Sequence, residues 1–142
     1  MLAPRYSNLA RIERARGNLS GALPLFEQAR DRYLRQGQAA AAATMQLRYL
    51  EAALAAGKLE PEQAWAQAQA ARSEVEAAYP PGDAIRASTE APYLLIACNT
   101  GVASRCQTQR EHAQGVLATA ATAADTRNQI RLALHAQSPV SR

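Results

Sequence analysis

The chain has 142 residues and a formal net charge of +4; 48% of its residues are hydrophobic and only 5% aromatic. That length supports one compact domain with its own core, and alanine-rich, β-branched-poor usage argues for helices and against a sheet. No run approaches the roughly 18 apolar residues that a membrane span requires, and no apolar signal-peptide core follows Met1, so no membrane contact and a cytoplasmic location are expected.

Pro4 suits the first turn of a helix, which is expected to run to about Arg16 with Tyr6, Leu9, Ala10 and Ile12 as packing residues. Gly17-Asn18 stops it. Ser20 is the expected N-cap of the second helix, with Pro24 in or just beyond its first turn, where a missing N–H costs little. Ala22, Leu25, Phe26, Ala29 and Tyr33 recur at three- and four-residue steps and form its apolar stripe. Gly37 closes it. A third helix is expected from about Gln38 to Ala56, with Leu47, Leu50 and Leu54 in line, and Gly57 ends it.

Pro61 opens a fourth helix with Ala64, Ala68, Ala71 and Val75 on one face and Trp65 on a flank. The run Tyr79-Pro-Pro-Gly-Asp83 cannot continue a helix, and Asp83 can cap the next. A fifth helix is expected over Ala84–Cys98, kinked or split by Pro92. A sixth is expected over about Arg105–Ala123, using Ala113, Val116, Leu117 and Ala120. Asp125 or Thr126 then caps a short seventh helix carrying Ile130 and Leu134. Residues 138–142 read as a frayed tail.

In the first pair of helices, Leu9, Ala10, Gly17, Ala22, Phe26 and Ala29 follow one another in the order large, small, glycine, small, aromatic, small. Two close antiparallel helices need this order. The segment resembles the tetratricopeptide (TPR) family on those residues and departs from it at Glu13 and Leu34. Gly57, Ala64, Ala68 and Ala71 keep the glycine and the small residues in the second pair, and the third pair follows by rhythm. Gly17, Gly57 and Gly101 lie 40 and 44 residues apart, longer than the TPR period of about 34. The resemblance implies an all-α fold of stacked antiparallel hairpins in a right-handed superhelix. Its units would be hairpins over about 4–36, 38–78 and 84–124 and a capping helix over 125–137, together a domain over 1–137. The chain is also similar to the C-terminal TPR arms of larger bacterial regulators.

The same resemblance implies a non-catalytic scaffold that takes a protein or peptide partner in a concave groove, in a bacterial regulatory or signalling assembly. By position, Asn8 and Arg11 of the first hairpin and Arg48 and Glu51 of the second would line that groove. Arginine's planar fork suits carboxylates, so an acidic partner is expected. The N-terminal face of the first hairpin would need cover from another domain or a second copy of the chain.

The alternative is a module that assists nucleic-acid binding or transcription regulation through its arginines. Those arginines (Lys58 is the sole lysine) are interleaved with Glu13, Glu27, Asp31, Glu51, Glu74 and Glu76, a pattern of solvated helix faces rather than one basic patch. Cys98 and Cys106 fall across a short turn, within disulfide reach of each other; in a reducing cytoplasm the expectation is two thiols, with the disulfide as the alternative. His112 has too few neighbouring ligands for a metal site, and His135 lies near a helix C-terminus, where the dipole favours it. No phosphate loop, zinc spacing or nucleophile signature is present, so neither catalysis nor a cofactor is expected.

Overall fold

A computed structural model describes residues 3–119 and 122–136. The described residues form helices α1 (Ala3–Ala15), α2 (Leu19–Arg35), α3 (Ala39–Ala55), α4 (Pro61–Ala78), α5 (Ala84–Ser88), α6 (Glu90–Cys98), α7 (Ala103–Leu117) and α8 (Ala124–Ala136), with no strand among them. The chain is all-helical.

The first three turns are one device used three times. Gly17, Gly37 and Gly57 sit at φ of 81°, 71° and 71°, the left-handed region that only glycine adopts without strain. The next amide reaches back over each helix end: Asn18 to the Glu13 carbonyl, Gln38 to Tyr33 and Lys58 to Ala53, each at 2.9 Å. This is the Schellman closure, which satisfies carbonyls that a helix end otherwise leaves bare. Helix α2 starts at Leu19, one residue before Ser20. Its N-cap is Asn18, whose side-chain oxygen accepts from the Gly21 amide at 3.1 Å, and the Ser20 hydroxyl donates to that same oxygen at 3.3 Å. Asparagine carries both a cap acceptor and a donor, which here bonds Glu13 at 2.6 Å, and so outcompetes serine for the position.

The expected fifth helix is split, but at Thr89 rather than at Pro92. Proline clashes with the carbonyl four residues before it, here Ser88, which is the last residue of α5. Pro92 itself sits comfortably in the first turn of α6. The Ser88 and Thr89 hydroxyls bond back to the Ile85 and Arg86 carbonyls at 2.6 and 2.7 Å, closing the short α5. Helix α7 begins at Ala103 and ends at Leu117, short of the expected Ala123. Thr119 and Thr122 hydroxyls take the Gly115 and Val116 carbonyls at 3.4 and 3.2 Å, the competition by which threonine frays helix ends. Asp125 lies in the first turn of α8 and is not its cap. Ala120, the end of the expected capping helix at residue 137, and the tail over 138–142 lie outside the described residues.

Three apolar clusters follow each other along the chain. The first joins α1, α2 and α3 through Ala10, Ala22, Phe26, Ala29, Met45 and Ala53. The second joins α3, α4 and α6 through Leu47, Leu50, Ala64, Ala68, Val75 and Ile96. The third joins α6, α7 and α8 through Ala91, Leu94, Ala113, Ile130 and Ala133. Alanines at the contacts let helix axes approach closely, and α3 and α6 each serve two clusters. Two expected packing residues of α1 do not pack: Leu9 and Ile12 are 45% and 47% exposed. Helix α1 meets α2 through Ala10 and Tyr6 instead.

Candidate functional site

The described helices enclose a groove of about 800 Å³ whose lining comes from α1, α3, the α5–α6 pair and α8, with Phe26 of α2. Its apolar part includes Ile12, Ala91, Pro92, Leu95 and Ile130. Asn8, Arg11, Arg48 and Glu51, the four residues singled out in the sequence, all line it, and Arg14 and Asp125 join them. One helical turn separates Arg11 from Arg14, and one separates Arg48 from Glu51, so each pair shares a face.

The charges of the groove are unevenly matched. Arg14 holds Glu51 with two parallel bonds, Nε–Oε1 at 2.8 Å and Nη2–Oε2 at 2.7 Å. Glu51 is 8% exposed, and this planar pairing is the strong form of an ion pair. The hydrogen bond to Glu51 raises the Arg14 pKa above its ordinary value. Arg11 meets Asp125 at 3.3 Å across the groove, an exposed contact that ties α1 to α8 and contributes little by itself.

Arg48 makes no hydrogen bond or close ion pair among the described residues. It is half-buried, and burial pushes its pKa down to about 10, with the Arg11 charge pushing the same way and Asp125 and Glu51 opposing at longer range. A guanidinium offers five donors, and those of Arg48 bond no acceptor among the described residues while the side chain lines the groove. Arg48 is therefore the cation of the groove that is open to an acceptor from outside the chain.

A second polar cluster lies between α4, α6 and α7. Arg72, 4% exposed, forms an ion pair with Glu90, 2% exposed, and the other oxygen of Glu90 lies 3.0 Å from Nδ1 of His112. Burial raises the Glu90 pKa, but the His112 hydrogen bond and the Arg72 charge outweigh it, and the carboxyl ends below its ordinary range. The bond to Glu90 lifts His112 above its ordinary value. Arg72 also stacks over Tyr93 at 4.9 Å, Tyr93 on Trp65 at 5.2 Å, and Arg105 over Trp65 at 4.8 Å. Arg105 in turn bonds Glu62 at 2.9 Å and the Thr100 hydroxyl at 2.8 Å. A small cleft of about 210 Å³ borders Arg72, Tyr93 and His112.

This cluster escaped the sequence reading. Its only trace is Arg72 one turn after Ala68 on the alanine face of α4, and Glu90 opening the most apolar helix. Cys98 and Cys106 are joined as a disulfide with Cα atoms 4.3 Å apart, where two thiols were expected. The turn between α6 and α7 is short enough to place Cys98, the last residue of α6, against the first turn of α7. No group of three His, Cys, Asp or Glu residues suited to a metal ion occurs among the described residues, and no described helix is long and apolar enough to cross a membrane. No family model matches the chain, and no curated protein or solved structure does either.

Proposed function

We propose that the chain is a non-catalytic interaction module of the TPR type, which receives an acidic segment of a protein partner in the groove between α1, α3, α6 and α8. The observation that carries this reading is Arg48. It is a half-buried cation with no hydrogen bond among the described residues, beside Arg11, in a groove whose other cations already face carboxylates. A carboxylate on an extended or helical segment would fill the missing acceptor position, while Ile12, Pro92, Leu95 and Ile130 would take apolar side chains. The stacking of the successive helix pairs into a superhelix, and a place in a bacterial regulatory assembly, belong to this proposal and rest on the resemblance around Gly17.

The nucleic-acid reading has less support. Arg11, Arg14, Arg30, Arg72, Arg86 and Arg105 each lie within ion-pair distance of a carboxylate of the chain itself, which leaves fewer cations to release phosphate counterions. A fluorescent decapeptide alternating leucine and glutamate, titrated by anisotropy against its leucine–glutamine counterpart, tests the proposal. The acidic probe is expected to bind more tightly, and Arg48→Ala to weaken it by about tenfold or more, the scale of a lost charge-assisted hydrogen bond. Equal affinity for the two probes, or no loss in an Arg11→Ala/Arg48→Ala variant, would sink it.

A further inference from the structure

Helix α7 is attached to the rest of the molecule in two unlike ways. Its second half packs through Ala113, Val116 and Leu117. In its first half, from Ala103 to His112, every residue is exposed or half-buried and none is buried. What holds that half is the Cys98–Cys106 bond, the Glu90–His112 contact and a hydrogen bond from Arg110 Nη1 to the Leu134 carbonyl of α8 at 2.9 Å. Arg105, the residue before Cys106, lies on Trp65 and bonds Glu62 and Thr100. Exposed or half-exposed ion pairs contribute little on their own, and a half-helix with no fully buried residue gains little from tertiary packing. The covalent bond is thus the strongest of these ties.

We propose that the Cys98–Cys106 disulfide is a redox-controlled clasp: its reduction releases the first half of α7 from α4 and α6 while the helices before it stay folded. Both cysteines are half-buried rather than enclosed, so a thiol reductant can reach them. The step is ordinary exchange with a dithiol. One thiolate of the reductant attacks a sulfur of the bond, the S–S bond breaks, and a mixed disulfide forms. The second thiol of the reductant then displaces the protein sulfur and closes the reductant's own disulfide. Cys98 and Cys106 gain two electrons and two protons, and the dithiol is oxidised. Release separates Arg105 from Trp65 and His112 from Glu90, which uncovers the Trp65–Tyr93 stack and widens the cleft beside Arg72.

The test uses the whole chain before and after treatment with dithiothreitol, read by amide hydrogen exchange. Reduction is expected to speed exchange over residues 103–112 by at least about tenfold while α2 and α3 keep their rates, the pattern of a local opening rather than a global one. Reoxidation should restore protection, and Cys98→Ser/Cys106→Ser should match the reduced protein. Trp65, the sole tryptophan, provides an optical check, because losing Arg105 from its face should change its emission. Unchanged exchange over 103–112 on reduction overturns the proposal. So does an equal acceleration in every helix, which would make the bond a general brace and not a local clasp.

Discussion

Four residues of α2 and nine of α3 are buried, against one of α7 and two of α8. The first part of the chain is held by alanine, leucine and phenylalanine packed along whole helices and by three glycine closures of the same form. The last part is held by a small apolar patch together with a disulfide, an arginine–aromatic ladder and a histidine–glutamate contact. Apolar burial hardly responds to pH or reductant, whereas the ties of the last part respond to both. The two regions should therefore fail under different conditions.

The sharpest way to test that contrast is to damage each region by its own logic. Phe26, 2% exposed at the centre of the first cluster, is expected to cost about 3–5 kcal/mol on replacement by alanine, the usual range for a deleted core aromatic. Urea unfolding should show that loss equally at pH 5 and pH 8, and with or without a reductant; a loss that varied strongly with pH would break the comparison.

Arg72→Ala is expected to cost nearly as much, about 3 kcal/mol, because it leaves the Glu90 charge buried with only the His112 contact. Unlike the Phe26 variant, it should recover stability as acid protonates Glu90. In the wild type, Glu90 has a folded pKa below its ordinary value of 4.5. The stability it contributes is present above that value and is lost as pH falls through the lower folded pKa. Unfolding curves collected from pH 3 to pH 7 distinguish the two variants.

The smallest expected effect is that of His112. Its folded pKa is raised above the ordinary 6.5. Its contribution is therefore complete below pH 6.5 and is lost as pH rises through the raised value. The ring is 47% exposed, so screening keeps the effect under about 1 kcal/mol. His112→Gln should remove this decline above pH 6.5 and, because the His112 contact helps hold Glu90 low, should also shift the acid limb toward higher pH. A decline that persists in the variant would place its origin elsewhere.

Much of the fold could be read from local signals. Gly17, Gly37, Gly57, Pro61 and Asp83 mark helix limits because each acts through its own backbone, which needs no partner. The end of α7 could not be read, since alanines alone offer no stop and the threonine hydroxyls that end it act only once the chain has turned. The break at Thr89 follows from Pro92 by a local rule applied one turn upstream. In the groove, Asn8, Arg11, Arg48 and Glu51 came by position from the TPR resemblance; Asn8 with Arg11, and Arg48 with Glu51, share a face because each pair lies three residues apart. Arg14 and Asp125 could not be placed in this way, because their roles depend on which helix lies opposite.

The sequence by itself determined that the chain is helical, where most of its helices start and stop, and which faces are rich in alanine and leucine. These properties are periodic and local, set by backbone sterics and by side chains within one turn. Only the tertiary structure decided how charges separated by long stretches of chain are matched. Arg14 meets Glu51 from 37 residues away and Arg11 meets Asp125 from 114. That pairing leaves Arg48 without an acceptor among the described residues, and the same packing of helices leaves Leu9 and Ile12 exposed. The long-range pairing and exposure depend on which helix faces lie opposite one another, which no periodicity within a single helix encodes.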